Sequence, residues 1–285
     1  MRRLPVLSLA LVLALAVGLV ACGDDSDDTS DADDTTTTTS ESTTTTAAAE
    51  SGSDLAVYFL RDEQVATAGR GAEGEDVATQ AIEGLLAGPT DDEAGIGMSS
   101  EVPEGTELLG VDVADGTATI DLSSDFASGG GSQSMQARVA QVVFTLTQFP
   151  TVDDVTITLD GEAVEGIGGE GVPASGLTRA TFESLTPFIL VESPVPFEEV
   201  SAPLEVAGMS NTFEANVQYS LTDADGTMLD EGFTTATAGN GTWGTFELTI
   251  DVALPDSGTG MLTMFQTNQE TGGRQDVYEV PITFG

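Results

Sequence analysis

The chain has one cysteine, Cys22, in 285 residues, so no internal disulfide can staple any part of it. Whatever folds must bury an ordinary hydrophobic core, and 40% hydrophobic residues with 33 glycines suit β-rich globular domains. The same restriction of residue types limits the chemistry. There is no histidine, which removes the usual general base, His-centred triads and the commonest zinc ligand. All 7 basic residues are arginines (Arg2, Arg3, Arg61, Arg70, Arg138, Arg179 and Arg274), so Schiff-base lysines, Ser–Lys dyads and a P-loop lysine are excluded too. Against them stand 48 acidic residues, for a net charge of −41. Such a surface repels nucleic acid and anionic head groups alike. Solubility, or a salty habitat that screens self-repulsion, explains the charge without a specific cationic ligand.

Arg2 and Arg3 precede a nearly unbroken run of Leu, Val and Ala over residues 4–20. That is the size of a secretory leader and short for a relaxed membrane span. The run ends in Leu19-Val20-Ala21-Cys22-Gly23, which resembles the lipobox of bacterial lipoproteins. The resemblance implies a signal peptide over 1–21, cleavage before Cys22 and a diacylglyceryl thioether on its sulfur. Each buried CH₂ contributes about 0.8 kcal/mol, so two or three acyl chains would hold the chain firmly at the extracytoplasmic face of the cell membrane. Residues 22–54 then read as a lipid-anchored, disordered tether. An aspartate cluster (Asp24, Asp25, Asp27, Asp28, Asp31, Asp33, Asp34) leads into runs of Thr and Ser that cannot bury enough surface to fold. As a flexible coil the tether spans roughly 30 Å, and its like charges extend it. A calcium site in the cluster would lack a glycine-turned loop to fix the ligands.

Residues 55–186 read as an α+β domain. The apolar run Leu55-Ala56-Val57-Tyr58-Phe59-Leu60 predicts a buried strand. A helix follows over 76–87, with Val77, Ala81, Ile82, Leu85 and Leu86 on one face and Gly88-Pro89 as its stop. Leu109, Val111 and Val113 alternate with polar residues, as do Ala118, Ile120 and Leu122, and Asp115-Gly116 between them predicts a tight hairpin. Ser132 or Ser134 is a candidate cap for a second helix running to about Phe149, with Met135, Val139, Val142, Val143 and Leu146 on its buried face. Val155, Ile157 and Leu159 form the last strand before Asp160-Gly161. The order is β-α-β-β-α-β, an α+β sandwich with helices on one sheet face.

Residues 187–285 carry no long helical pattern. Short alternating segments predict about seven strands separated by turns such as Asp223-Ala224-Asp225-Gly226 and Asn240-Gly241. Phe213, Ala215, Val217, Tyr219 and Leu221 make the clearest run, with Phe213 inward and Glu214 outward. The spacing predicts an all-β immunoglobulin-like sandwich, with Pro281 at an edge or bulge.

Several residue sets invite a functional reading. Thr145, Thr147 and Gln148 sit on a helix flank, where local capping bonds are the expected use. Asp121 and Asp125 straddle a strand end with no base or metal partner in view. Arg138 reads as a surface ion-pair partner. Asp223, Asp225 and Asp230 suggest a calcium loop, but Gly226 falls at the wrong place, so a plain turn is expected. Trp243 with Phe246 reads as a core or sheet-face pair rather than a stacking platform. No catalytic, cofactor-binding or metal residue is assigned; Cys22 is the one site, for lipidation.

Two stretches resemble known families. Phe144-Thr145-Leu146-Thr147-Gln148-Phe149-Pro150, followed by Val152 and residues 155–161, resembles the signature of the GerM (GerMN) domain of sporulation and germination proteins. Gly88-Pro89, Val102-Pro103-Glu104-Gly105-Thr106 and Ala118-Thr119-Ile120-Asp121-Leu122 match its pattern in order. Residues 188–206, with Ser193-Pro194-Val195-Pro196 and Ser201-Ala202-Pro203-Leu204, then Asn211-Thr212-Phe213-Glu214-Ala215, Asp225-Gly226 and Gly241-Thr242-Trp243-Gly244-Thr245-Phe246, resemble Gmad2, the immunoglobulin-like domain of spore-germination proteins. The first resemblance implies kinship with ring-building folds, and so homo-oligomers, and implies no catalytic residue. The expected function is a non-enzymatic, lipid-anchored envelope protein whose domains bind or position envelope proteins or wall polymer, with no cofactor and no nucleic acid. A solute-binding lipoprotein serving a transporter or sensor is the alternative. A carboxylate-pair wall hydrolase is a third reading, weak because any acid pair could be proposed in so acidic a chain.

Cys22→Ser is expected to abolish labelling by a clickable fatty acid. Normal labelling would favour an uncleaved N-terminal span with an incidental cysteine.

Overall fold

The computed structural model describes residues 55–169 and 171–285. The leader, Cys22 and the tether lie outside the described residues. Strand β1 (Leu55–Arg61) turns back at once into β2 (Gln64–Arg70), an antiparallel pair in which Arg61 faces Gln64. The sequence reading missed β2 because both of its signals are weak. The turn is Asp62-Glu63, with φ of 53° and 65° and no glycine, and the strand's buried residues are mostly small. Helix α1 (Val77–Leu86) follows the expected bounds, and Gly88 takes a φ of 79° just past its end. A short helix, α2 (Asp91–Gly95), is added by a capping box between Thr90 and Glu93. Glu93 also takes Arg70 in a two-point pair, at 2.6 and 2.9 Å, which ties α2 to β2.

Strands β3 (Leu108–Ala114) and β4 (Thr117–Leu122) form the hairpin that Asp115-Gly116 predicts, with φ of 52° and 87°. Helix α3 (Ser132–Leu146) then crosses to β5 (Asp154–Leu159), which lies parallel to β4, and β6 (Glu162–Ala163) completes a sheet of order β3-β4-β5-β6. Short strands β7 (Gly166–Ile167) and β8 (Val172–Pro173) pair with each other. Neither Ser132 nor Ser134 caps α3; Gly131 holds the cap position without a side-chain bond.

The expected one-sided burial of α3 is also corrected. It packs against β1, β2, α1, β5, β8 and a 3₁₀ stretch at Arg179–Leu185, so nearly every residue from 135 to 146 is buried, including Arg138, Gln141 and Thr145.

That burial explains the polar residues of the helix. In a two-residue hairpin, alternate residues point their backbone groups away from the partner strand. In β1 these are Ala56, Tyr58 and Leu60. Gln148 accepts from Ala56 N (2.8 Å) and donates to Ala56 O (2.5 Å). Thr145 Oγ1 accepts from Tyr58 N (3.1 Å), and Gln141 Nε2 donates to Tyr58 O (3.2 Å). Leu60 exchanges two 2.8 Å bonds with Ser99. A stripe of side chains along α3 and just past its end, with the Ser99 backbone, thus stands in for a missing strand. The expected local bonding holds for Thr147, which donates to Val143 O at 2.7 Å, and in part for Gln148, whose Nε2 also donates to Thr145 O at 2.6 Å.

The second region is a sandwich. Strands β9 (Ile189–Ser193), β10 (Glu199–Val200), β11 (Leu204–Ser210), β12 (Asn216–Asp223), β13 (Met228–Thr235), β14 (Gly244–Ile250), β15 (Gly258–Thr267) and β16 (Arg274–Phe284) form sheets of order β10-β16-β15-β12-β13 and β14-β11-β9. One strand assignment fails at its start. Phe213 is 54% exposed in a 3₁₀ turn, and Glu214 and Ala215 have φ of 54° and 57°, so β12 begins only at Asn216. Gln266 and Asn240 side chains take the Phe213 and Glu214 amides at 3.0 Å, which holds the turn against continuing the strand. The fold is α+β followed by an immunoglobulin-like sandwich.

Thr145→Val leaves the buried Tyr58 amide unmatched. Urea unfolding should show a loss of about 1–3 kcal/mol, whereas the exposed Thr151→Val should stay within about 0.5 kcal/mol.

Candidate functional site

The described residues form one compact unit, and a single hydrophobic core runs from Val57 and Phe59 to Leu190, Val280 and Phe284. Where the α+β region meets the sandwich, this apolar contact is fastened by polar groups. Tyr58 stands in an otherwise apolar strand, and a buried tyrosine needs a partner for its hydroxyl. It donates to Glu192 Oε1 on β9. Arg179, from the connecting segment, pairs with the same Glu192 oxygen at 2.6 Å. Its Nη2 donates to Tyr58 Oη (3.2 Å) and its Nε to Thr147 Oγ1 (2.9 Å). The guanidinium lies 5.3 Å from the Tyr58 ring centroid and 4.9 Å from that of Phe144. Burial alone would lower the Arg179 pKa, but Tyr58 and Glu192 turn the shift upward. Burial and Glu192 together push the Tyr58 pKa well up.

A second fastening lies at the hairpin tip. Arg61 donates to Glu279 O (3.0 Å) and its guanidinium sits 4.6 Å from the Tyr278 ring centroid. Thr67 N donates to Tyr278 Oη at 3.3 Å. Beside this contact opens a groove of about 460 Å³, lined by Arg61, Asp62, Ile96, Met261, Val277, Glu279 and Pro281.

The residues singled out in the sequence are scattered. Asp121 Oδ1 accepts from Thr158 Oγ1 (2.8 Å) and Gly161 N (2.9 Å), which closes the turn after β5. Asp125 lies apart, exposed in a 3₁₀ turn. Arg138 is not a surface ion-pair partner. It is 3% exposed and donates to Phe126 O (2.6 Å) and Ser128 O (2.8 Å), holding the glycine loop ahead of α3; burial lowers its pKa, partly offset by Glu101. Asp223 Oδ1 accepts from Asp225 N and Thr227 N, the plain turn expected there, and Asp230 accepts from Tyr219 Oη at 2.7 Å. Phe246 is in the core and Trp243 is half-buried before β14. Among the described residues no cluster of His, Cys, Asp or Glu could hold a metal, and no helix is long and apolar enough to cross a membrane.

The arrangement defines a class: two sheet-rich domains that share one core, joined by Tyr58, Arg179 and Glu192 and by Arg61 and Tyr278. Residues 56–165 match the Germane family, described as sporulation and spore germination, and residues 188–273 match Gmad2, the immunoglobulin-like domain of bacterial spore germination. The chain therefore carries a Germane domain followed by a Gmad2 domain. Among solved structures, one described as a lipoprotein from Clostridium perfringens is 25% identical, over 46% of this chain and 91% of that one, with a TM-score of 0.35. The first GerMN domain of the sporulation protein GerM from Bacillus subtilis is 27% identical, over 44% and 97%, with a TM-score of 0.38. The tandem GerMN domains of the same protein are 17% identical, over 81% and 59%, also with a TM-score of 0.38. No curated protein matches the chain.

Sequence reasoning missed the Tyr58–Arg179–Glu192 joint. The available signal was a tyrosine inside an apolar strand, whose hydroxyl had to be met from elsewhere.

All three tyrosines hold their protons above the ordinary value: Tyr58 and Tyr278 chiefly through burial, and Tyr219, pushed up to about 12, through burial and its bond to Asp230. The unfolded chain releases these protons near pH 10. The resulting stability is complete below about pH 10 and declines as pH rises past it. Alkaline titration should show tyrosinate absorbance appearing together with loss of structure, not before it.

Proposed function

We propose that the chain is a non-enzymatic, GerM-type envelope protein, anchored by lipid on Cys22, that presents its Germane and Gmad2 domains to envelope partners as one rigid body. The observation that carries this reading is the joint. Arg179 and Glu192, with the continuous core beneath them, fix one domain's binding surfaces relative to the other's. The family pair supports the envelope setting, and the missing residue types support a binding rather than catalytic role. The leader and tether supply the anchor and the reach, and net charge of −41 leaves attachment to the lipid.

A solute-binding role is the second reading, favoured by the groove between the domains at Arg61 and Glu279. Against it, Arg61 is already committed to a backbone carbonyl and an aromatic ring.

In membranes crosslinked in the native organism, the full chain should recover a reproducible set of proteins or wall fragments. Arg179→Met should lose part of that set while the chain remains folded and lipidated. A clean absence of partners, with thermal stabilisation by a small solute, would favour the second reading.

A further inference from the structure

The backbone rule that accounts for β1 gives a different result for β3. The hairpin closes at the Ala114–Thr117 pair, so Asp112 turns its backbone groups toward β4 while Val111 and Val113 turn theirs outward. β3 is the edge of its sheet, and among the described residues nothing bonds to those outward groups. Beside them the sheet face is only partly covered. A groove of about 330 Å³ runs between Val111 and Val113 on one side and Val77, Phe149 and Val152 on the other. Val113 is 39% exposed, and Leu109, at the bulge, is 49% exposed. Long apolar edges are usually blunted, because they recruit another strand. Here a bulge at Leu109 interrupts the start of the edge, and the stretch from Val111 to Val113 is guarded by charge: Glu75 and Asp76 line the groove, Asp112 projects from the strand, and Asp115 and Asp153 stand at its end.

Among the described residues no cation neutralises that rim. Each described arginine is engaged elsewhere: Arg61 at Glu279, Arg70 at Glu93, Arg138 on loop carbonyls, Arg179 at Glu192 and Arg274 over the Phe265 ring. A second copy of the chain would bring the same acids and a charge of −41 to the same edge.

We propose that β3 is a docking edge for an extended, cationic segment of a partner protein, which adds as a further strand. Alternate apolar side chains of that segment enter the groove on the Val111–Val113 face. The intervening Lys or Arg side chains leave from the opposite face, where Asp112 projects, and the segment's cationic ends meet the acids of the rim. Backbone bonds to Val111 and Val113 set the register, and the acid rim selects the charge. This rests on the reading of the chain as a binding module, but its test uses purified chain and does not depend on the crosslinking result.

The test measures fluorescence anisotropy of a short peptide alternating valine and lysine, added to the full chain. Saturable binding is expected, with none for the valine–glutamate counterpart. N-methylating the peptide's edge-facing amides should weaken binding by about tenfold or more, and so should Val113→Lys, whose folding is checked by thermal unfolding. Asp112→Asn should weaken the valine–lysine peptide less than Val113→Lys. Equal binding of the N-methylated peptide would show charge attraction without strand addition and overturn the proposal. So would unchanged binding by a folded Val113→Lys chain, absence of saturable binding, or self-association through β3 that the peptide does not displace.

Discussion

Strand β1 must satisfy backbone groups on two edges, and only one of those edges meets another strand. Helix α3 supplies the other with Gln141 and Thr145, one turn apart on one side of the helix, and Gln148, just past the helix end, continues the stripe. An unmatched buried amide costs about 1–3 kcal/mol, so this arrangement fixes both the register of the hairpin and the depth of the helix. Tyr58 is then held at both ends. Its amide and carbonyl belong to α3, and its hydroxyl reaches Glu192 in the second domain. The joint between domains thus inherits its position from the packing inside the first one.

Charge shapes the molecule in the same economical way. Five arginines lie among the described residues, and all are engaged by carboxylates, carbonyls or aromatic rings. What remains at the surface is acidic. By charge, basic partners are favoured over a second copy of the chain. At β1, where the backbone edge is closed by side chains, surface charge has no part in protecting it. At β3 the edge beyond the Leu109 bulge is open among the described residues, and acids guard it.

Much of the architecture was legible in the chain. Helix α1, the Asp115-Gly116 hairpin, β5 and most sandwich strands follow from apolar periodicity and turn chemistry, because those signals are local. The errors share one cause. Hairpin β1–β2 turns on Asp62-Glu63 without glycine, because the core holds the two strands together. Arg138, Thr145 and Gln148 looked like surface or local groups, because the one-sided pattern of α3 gave no sign that a second layer covers it. Phe213 continued an alternating run in the sequence, yet Gln266 and Asn240, distant in the chain, hold it in a turn.

By itself the sequence determined the class of each domain, the absence of disulfide, histidine and lysine chemistry, the negative surface, and Cys22 as the one expected attachment point. These depend on composition and short-range order. Only the tertiary structure decided that the two domains share a core, that Arg179 joins Tyr58 to Glu192, and that β1 is closed while β3 is open. Those outcomes depend on which backbone groups find partners, and the partners lie 87 residues away for Tyr58 and Thr145 and 134 for Tyr58 and Glu192. No local pattern encodes a separation of that length.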